Sequence, residues 1–571
     1  MKNKTIKKML TLALASVLAL SVVACGGGKE EEKAPAAEEV NTEAEAEEEL
    51  YYNVEGLPFV KEPIEIEVAG VQGATTDWNS TYTVQKVEEL MGIKMNCTTY
   101  ADAATWSTQF ATMMASDELP DLMMQIDMDK ALTNDAGADG YLLDFTEYLD
   151  IMPNLAKFLD ENPEFKAYHS TDDGSIYSLN NIRRNPGCMY SLYVSKADQE
   201  KYGFSVADIK TVDDFYNVLK SIKEQNPDAI PLSLQLDQGC GQRGIMVLNN
   251  AFNIDHTQLN GKFDVDESGN VVLTDIDERN QALLKYVNRL WEEKLLDNEA
   301  YIMTADEYRS RIKTDEVVFF HDWAFLQNAT GAADASIYRE YDQLVALTSE
   351  YQTTPVYTYW TPQTERSRVM VSATTEYPEA ICRLIDYTFS DEGFYFINYG
   401  VEGETYEFVE DEFGVRDVNH DKFWDQEKYT SSAEWLTQAV QIANGMNMVK
   451  YSPVDDAVLN ATDEELNKML YEDESMKYCM AASMELAIRA QTEETGYPAA
   501  CGFAYSTEEA DAISQLLTDM NLLIQQYRAQ FVSGDLDVES DWDAYVKEIE
   551  NYWTQIQPYV QSAYERYAAN L

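Results

Sequence analysis

Short apolar strands alternate with amphipathic helices along this chain, and this alternation most restricts the folds that it can adopt. Ile64–Val68 alternates apolar and acidic residues, and Val317–Phe320 is a continuous apolar run typical of a fully buried strand. Apolar residues recur at helical spacing over 215–222, 283–291 and 513–527. Strands separated by helices predict α/β layers with parallel strands, and the helical C-terminal third is expected to cover one of the layers.

The N-terminus has the pattern of an export signal that ends at a cysteine. Four lysines precede Met9–Ala24, a run of about sixteen mostly apolar residues that is too short and wrongly flanked for a spanning helix. Its end, VVAC, resembles the bacterial lipobox, in which the cysteine sulfur receives a diacylglyceryl group. We therefore predict a signal peptide over 1–24 and a lipid anchor at Cys25. The alternative is an ordinary signal peptide cleaved elsewhere.

The segment after this cysteine is expected to be a tether rather than part of a domain. Residues 26–57 are polar, acidic and nearly free of large apolar side chains, which predicts a disordered segment that holds a domain away from the membrane. Residues 58–571 remain, in a chain that is 45% hydrophobic and 12% aromatic. This length is enough for two cores rather than one.

Charge and cysteine content restrict the partners and the compartment. Without residues 1–24 the chain carries 38 basic and 101 acidic residues, a net charge of −63, so nucleic acid and anionic lipid are poor partners for the domain. The remaining cysteines show no CxxC and no short spacing typical of a disulfide scaffold or a zinc site. We interpret them as isolated, mostly buried thiols: Cys97, Cys188, Cys240, Cys382, Cys479 and Cys501.

No catalytic motif stands out. The four histidines, His169, His256, His321 and His420, form no HExxH or paired i, i+4 set, and no GxSxG or GxxxxGK[ST] occurs. The acidic residues could supply a glycosidase pair, but sequence spacing cannot place two carboxylates roughly 5–10 Å apart. We therefore predict a protein that is not an enzyme.

One acidic segment, FDVDESGNVVLTD, permits two interpretations. Six residues occupy positions 1, 3, 5, 6, 7 and 12 of a loop similar to an EF-hand, namely Asp264, Asp266, Ser268, Gly269, Asn270 and Asp275. The twelfth residue is Asp rather than the longer Glu, and the flanks alternate like strands. A β-hairpin with its turn at 268–270 is therefore favoured over a calcium site, and no cofactor is predicted.

Aromatic residues in predicted loops are better candidates for a binding site. A sugar ring has an apolar face that stacks on an indole, and its hydroxyls pair with planar carboxylates, amides or guanidinium groups. Trp78 lies beside Asp77 after the first strand, Trp323 lies beside Asp322 after the buried strand, and Trp360 precedes a proline. The carboxyl ends of strands are where α/β sheets place ligands. Packing within the protein is the alternative role for each tryptophan.

Several longer segments resemble the extracellular solute-binding lipoproteins that serve carbohydrate ABC importers. The resemblance rests on ASDELPDLMM (115–124), DGSIYSLNN (173–181), the segment 193–233, SDEGFYFINYGVEGETYEF (390–408) and the ending 531–567. The fourth is similar to the GxxxxxYGxEGxxY signature of the large-lipoprotein branch. The resemblance covers essentially everything from Cys25 to the C-terminus.

The resemblance implies a fold similar to periplasmic binding proteins, a two-lobed clamshell with a ligand cleft between the lobes. Lobe one is then expected to comprise 58–185 and 355–440, and lobe two 186–354 and 441–571. The candidate ligand-binding residues are Asp77, Trp78, Asp121, Trp360, Tyr399 and Glu402 on lobe one, and Arg243, Asp322 and Trp323 on lobe two. For Asp121 and Glu402 a structural role in a cap or a loop is the alternative.

The resemblance further implies a receptor that captures an oligosaccharide by hinge closure and delivers it to the permease subunits of an ABC transporter. Its expected location is the outer face of the bacterial cytoplasmic membrane, held by a lipid anchor. A peptide-binding receptor and a secreted glycoside-processing enzyme are the alternatives. A calcium-dependent adhesion protein would rest on the loop 264–275 alone.

Overall fold

The structure of the protein is a computed structural model. It describes the following residues: 50–71, 77–180, 191–234, 236, 246–254, 263–321, 326–359, 367–441, 453–492, 497–498 and 503–571.

Strands and helices alternate along these residues. The strands are β1 (Ile64–Val71), β2 (Ile93–Tyr100), β3 (Leu122–Met128), β4 (Leu192–Ser195), β5 (Ile230–Ser233), β6 (Phe263–Val265), β7 (Val271–Leu273), β8 (Val317–His321), β9 (Tyr341–Leu344), β10 (Thr358–Tyr359), β11 (Ser367–Val371), β12 (Glu407–Glu410), β13 (Arg416–Asn419) and β14 (Tyr497–Pro498). The α-helices are α1 (Tyr82–Met91), α2 (Ala103–Ser116), α3 (Lys130–Ala138), α4 (Pro153–Glu161), α5 (Pro163–His169), α6 (Lys196–Tyr202), α7 (Val212–Gln225), α8 (Met246–Ala251), α9 (Glu278–Glu292), α10 (Ala305–Lys313), α11 (Leu326–Thr330), α12 (Pro378–Tyr387), α13 (Asp391–Tyr399), α14 (Ser432–Trp435), α15 (Pro453–Asn460), α16 (Asp463–Tyr471), α17 (Cys479–Gln491), α18 (Thr507–Ser533) and α19 (Trp542–Ala569).

The first sheet has the order β11-β3-β1-β2 and forms the centre of the unit that we call lobe one. β1 pairs in parallel with both β2 and β3, and β11 pairs antiparallel to β3. Along β1, Ile66 and Val68 lie in a core with α1, α4 and α12. Ala69 faces a second core with α2 and α3. Apolar side chains on both faces of the sheet therefore hold helices against it.

The second sheet has the order β5-β8-β4-β9 and forms the centre of lobe two. Its two faces divide the apolar run at 317–320, because successive side chains of a strand point to opposite faces. Phe319 lies in the core with α7, α9, α18 and α19. Phe320 lies in the core with α10, α16 and α17. The C-terminal helices therefore cover the second sheet on both faces.

The helices predicted from apolar spacing are present. α7, α9 and α18 include the three predicted segments, and α18 ends at Gly534, whose φ of +81° is a backbone conformation that favours glycine. The expectation of parallel strands is wrong for part of both sheets, since β11 pairs antiparallel to β3 in the first sheet. β5 and β8 pair in parallel, but β4 pairs antiparallel to β8 and β9. Antiparallel pairs can form in this two-lobed α/β fold because each sheet combines strands from distant parts of the chain.

Among the described residues, no helix combines the length and the apolar composition needed to cross a membrane.

Candidate functional site

A cavity of about 300 Å³ lies between lobe one and lobe two. One wall is formed by the beginning of α3 and by α5, and the other by β6, by the residues before α18 and by α18 itself. Its lining includes Asp129, Lys130, Tyr168, Phe263, Phe503 and Tyr505. The volume is at the lower end of the range of roughly 300–1,000 Å³ that is typical of small-molecule sites.

Asp129 and Lys130 lie directly after β3, outside the carboxyl end of a strand in a parallel pair. This is the position at which open α/β sheets bind ligands. The exposed carboxylate of Asp129 accepts hydrogen bonds from the backbone N–H groups of Ala131 at 2.8 Å and Leu132 at 3.3 Å. It therefore caps α3 and fixes where the helix begins at the edge of the cavity.

The side chain of Lys130 is buried, with 4% of the residue exposed. Its ammonium donates to the backbone oxygen of His169 at 3.1 Å and to the hydroxyl of Ser178 at 3.2 Å, and Nζ lies 3.5 Å from Nδ1 of His169. Burial lowers the pKa of Lys130 to about 7, because desolvation disfavours the charged form. Burial, followed by the nearby charge of Lys130, also holds the pKa of His169 well below its ordinary value.

The wall from lobe two is aromatic. Phe263 of β6 stacks on Phe503 with ring centroids 6.4 Å apart and on Trp553 of α19 at 5.4 Å. Phe503 contacts Tyr505 edge to face at 5.5 Å. Phe263 and Phe503 are buried, whereas Tyr505 is half-buried. Tyr505 is therefore the best-placed ring on this wall to meet a ligand.

The beginning of α18 fixes the position of Tyr505. Ser506 and Glu509 form a capping box, in which the serine hydroxyl accepts from the Glu509 N–H at 3.2 Å and the Glu509 carboxylate accepts from the Ser506 N–H at 2.9 Å. Glu509 is buried and also accepts from Arg566 of α19. Burial works against the charged carboxylate, but the hydrogen bonds from Arg566 and Ser506 outweigh it, and the pKa of Glu509 lies below its ordinary value.

Arg566 also reaches across to lobe one. Its Nε lies 3.3 Å from the exposed carboxylate of Asp172, three residues beyond α5. Helix α5 itself contributes Ala167 and Tyr168 to the core that contains α18 and α19. The two lobes therefore contact each other beside the cavity.

The described lining offers groups that can contact a ligand. Aromatic rings offer faces for apolar contact, and Asp129, Tyr505 and Asn521 of α18 offer polar atoms for ligand hydroxyls. Asp129 is the one carboxylate among the described lining residues.

Asp77 and Trp78 have local structural roles. Asp77 is exposed, and its carboxylate accepts from the backbone N–H of Asn79 at 3.1 Å as the cap of a short 3₁₀ helix. Trp78 is 0% exposed and packs in the core of lobe one, where its ring fills the space above Gly70. In this conformation the indole has no face open to a ligand. Packing within the protein, the alternative role of Trp78, accounts for this burial.

Asp121, Tyr399 and Glu402 do not line the cavity. The Asp121 carboxylate accepts from the backbone N–H of Glu67 at 2.8 Å and so joins the residue before β3 to the middle of β1. Tyr399 ends α13 within a cluster of aromatic rings, and its centroid lies 5.6 Å from that of His420. Glu402 is exposed in the following loop, 4.0 Å from Arg416.

The remaining predicted site residues lie outside the described residues. They are Cys25, Arg243, Asp322, Trp323 and Trp360. The nearest described neighbour of Asp322 is His321, at the end of β8. Its Nδ1 lies 3.0 Å from the backbone oxygen of Ser191.

Sequence reasoning missed the residues that line the cavity. Lys130, Tyr168, Phe263, Phe503 and Tyr505 come from four separate segments, and no spacing in the sequence joins them. One local signal was available. The pattern S-x-x-E at 506–509 marks the start of a helix, and the aromatic residues just before it are placed at a helix end.

Residues 263–273 form the favoured hairpin, and Asp275 lies in the short 3₁₀ helix Thr274–Ile276 that follows it. β6 and β7 pair antiparallel, and the turn contains Gly269 with φ of +85°. The Asp266 carboxylate accepts from the backbone N–H groups of Ser268 at 2.9 Å and Asn270 at 2.8 Å. Among the described residues, no group of three or more His, Cys, Asp or Glu side chains could hold a metal ion.

No family model matches the chain. A curated relative does: the fructooligosaccharide ABC transporter substrate-binding protein FusA of Streptococcus pneumoniae is 24% identical over 604 aligned positions that span 100% of both chains. The structure of FusA in complex with kestose matches with a TM-score of 0.58 at 21% identity, covering 89% of this chain and 100% of that one.

A second solved structure supports the same fold. An extracellular solute-binding protein from Bifidobacterium longum subsp. infantis matches with a TM-score of 0.67 at 17% identity, covering 89% of this chain and 98% of that one. The chain has the fold of an ABC-transporter solute-binding protein. The resemblance and the α/β fold predicted from the sequence are thereby confirmed. A structure of an EF-hand mutant of FusA with fructo-nystose also matches, with a TM-score of 0.58 at 21% identity over 89% of this chain and 100% of that one.

Proposed function

We propose that this protein captures an oligosaccharide between its two lobes and delivers it to an ABC permease. The single observation that carries the proposal is the cavity between the lobes, with an aromatic wall on lobe two and polar groups on lobe one. The similarity to FusA over the whole chain supports the same function, and it makes fructo-oligosaccharides the first ligands to test.

The mechanism follows from the position of the cavity. A ligand that contacts both walls is bound better when the lobes are close together, so ligand binding shifts the equilibrium toward the closed form. Lobe one contributes the capped start of α3 with Asp129, and lobe two contributes Tyr505. Asp322, Trp323, Trp360 and Arg243 remain proposed contacts, since two of them directly follow β8.

The proposal includes that the protein binds its ligand without catalysing a reaction on it. The relatives are named as substrate-binding proteins, and the described cavity offers one carboxylate. Sugar turnover would favour the glycoside-processing enzyme, and affinity for peptides alone would favour the peptide receptor.

A thermal-shift screen tests the proposed function. The chain lacking residues 1–24, with Cys25→Ser, is melted with fructo-oligosaccharides, other oligosaccharides, monosaccharides, amino acids and peptides. A ligand at about a hundredfold excess over its Kd stabilises the native state by roughly 2.7 kcal/mol, which raises Tm. We expect a shift with one class of oligosaccharide and unchanged sugar on chromatography of the same samples.

Two tyrosine variants test the position of the site. Tyr505→Ala removes the half-buried ring of the cavity wall, and we expect at least a tenfold loss of oligosaccharide affinity with little change in Tm. Tyr559→Ala is the matched control, because Tyr559 is 38% exposed and does not line the cavity. If Tyr505→Ala, Tyr559→Ala and the unaltered protein bind the oligosaccharide with equal affinity, the ligand does not bind in this cavity.

We further propose that the mature protein is held at the outer face of the cytoplasmic membrane by a lipid on Cys25, followed by the acidic tether. The apolar run that ends in VVAC supports this proposal. Labelling cells with a radioactive fatty acid should mark the protein but not its Cys25→Ser variant. An unlabelled protein would refute the anchor without affecting the ligand proposal.

A further inference from the structure

Arginines from two helices engage carboxylates of the segment 264–275, which comprises the β6–β7 hairpin and the start of the 3₁₀ helix after it. Their spacing resembles that of a calcium loop, and an EF-hand is present in FusA, as the EF-hand mutant implies. Calcium ordinarily takes six to eight oxygen ligands at roughly 2.3–2.6 Å. Whether the hairpin can supply such a set depends on where its carboxylates point.

The first carboxylate, Asp264, points to Arg279 of α9. Arg279 Nη1 lies 3.2 Å from Asp264 Oδ2 and donates to the backbone oxygen of Asn253 at 2.8 Å. The other donors of the same guanidinium bind both carboxylate oxygens of Asp277, at 3.0 and 2.9 Å. Arg279 is 16% exposed, so this contact is largely shielded from water.

The last carboxylate, Asp275, points to Arg528 of α18. Arg528 Nη2 donates to Asp275 Oδ1 at 2.8 Å, and the two side chains are 19% and 8% exposed. The backbone oxygen of Asp275 accepts from Asn280 at 2.7 Å and from the hydroxyl of Tyr545 at 3.0 Å. Asp275 therefore faces the helical core rather than the turn of the hairpin.

The polar groups at the turn of the hairpin form hydrogen bonds within the turn and with α19. The Asp266 carboxylate accepts from backbone N–H groups of its own turn, as described above. Gln561 of α19 donates to the backbone oxygen of Gly269 at 3.0 Å and accepts from the Val271 N–H at 2.7 Å. The three aspartates consequently point to three different sets of donors, and they do not converge on one point.

We propose that Arg279 and Arg528 replace a calcium ion in this hairpin, as fixed internal cations that attach it to α9 and α18 without metal. An arginine can do this because its guanidinium is always protonated and forms several directed hydrogen bonds to carboxylates. A carboxylate left buried without its cation is strongly destabilising. The hairpin carries Phe263, so this attachment also holds one ring of the cavity wall.

Thermal melts of the purified chain test the proposal. The protein is treated with EDTA, dialysed, and melted with CaCl₂ or with MgCl₂ at equal ionic strength. Magnesium controls for the general effect of divalent cations on a chain with net charge −59. We expect Tm to differ by no more than about 1 °C between the two salts, because a specific calcium site would add the binding free energy of that ion.

Arginine variants test the positive part of the proposal. Arg279→Gln and Arg528→Gln should each lower Tm by about 3 °C or more, because each leaves a shielded carboxylate without its partner. Lys285→Gln is the matched control, since Lys285 on α9 pairs with Glu539 at 3.1 Å with both side chains well exposed.

Two results would overturn the proposal. One is a calcium-specific rise in Tm of the unaltered protein that EDTA reverses and magnesium does not reproduce. The other is a Tm for both arginine variants that equals the Tm of the Lys285→Gln control. These results do not depend on which sugar the protein binds.

Discussion

Trp78 illustrates how burial decides the role of a single residue. The sequence places it after β1, where ligands bind in α/β folds, but the structure packs it in the core of lobe one at 0% exposure. A Cβ on Gly70 would lie 2.1 Å from the Trp78 ring. Glycine at position 70 therefore provides the space that the indole occupies.

We predict that Trp78→Ala lowers the free energy of unfolding by about 3–5 kcal/mol, because it removes a large buried ring and leaves a cavity. Urea denaturation measures the loss, and Trp424→Ala, at a half-buried tryptophan of lobe one, should cost less. Unchanged stability with loss of sugar binding would instead assign Trp78 to the ligand site.

Lys130 predicts a pH dependence of stability. The folded protein releases this proton near pH 7, whereas the unfolded chain retains it up to the ordinary value of 10.5. Between these values the unfolded state binds more protons, so the unfolding free energy rises with pH. Relative to Lys130→Met, the unaltered protein should gain up to about 1.4 kcal/mol per pH unit above pH 7.

Urea melts of both proteins at pH 6, 7, 8 and 9 measure this difference. Titrations that the two proteins share cancel, and below pH 7 Lys130 is charged in both folded and unfolded chains. A difference that stays constant from pH 7 to pH 9 would contradict the assignment of a neutral, buried amine.

Among the elements, α18 joins the cavity wall to the core of lobe two. Its capping box orders the residues that lead from Phe503 and Tyr505 into the helix. We predict that Ser506→Ala lowers the unfolding free energy by about 1 kcal/mol, because an N–H group at the helix start loses its acceptor. Thermal or urea unfolding provides the measurement.

Ser514→Ala is the control for this prediction. Ser514 is exposed in the interior of α18, where alanine has the higher helix propensity, so stability should stay equal or rise slightly. A loss for Ser514→Ala as large as that for Ser506→Ala would show that the capping box has no special role.

The elements also show what the sequence could predict. α7, α9 and α18 followed from apolar spacing, and the β6–β7 hairpin followed from its turn residues, because both signals are local. The antiparallel pairing of β4 was not predictable. β4 pairs with β8 and β9, which lie more than a hundred residues further along the chain, and no local signal encodes that choice.

The cavity was less predictable than the fold. Tyr168 and Tyr505 meet only because α5 packs against α18 and α19, a contact between the two lobes. Tryptophans near strand ends were reasonable candidates, yet the burial of Trp78 depends on the small residue at position 70 of the preceding strand, β1. Contacts of this kind form between segments that are distant in sequence, so no local sequence pattern predicts them.

At the scale of the whole molecule, the large negative net charge affects the stability of the fold. The net charge is −59, and like charges on the surface repel each other in the folded state. We predict that Tm rises as NaCl increases from about 20 to 500 mM, because the Debye length falls from tens of ångströms to a few. Differential scanning calorimetry measures this rise, and a Tm that falls with salt would show that ion pairs outweigh repulsion.

Capture of a sugar between the lobes is the central claim, and hydrogen exchange with and without fructo-oligosaccharide tests it most directly. If the sugar binds between the lobes, peptides that cover 128–132 on lobe one and 503–510 on lobe two should both exchange more slowly, while α10 (305–313), which does not line the cavity, should not change. Protection confined to one lobe, or absent from both walls when a melt shows binding, would contradict the account.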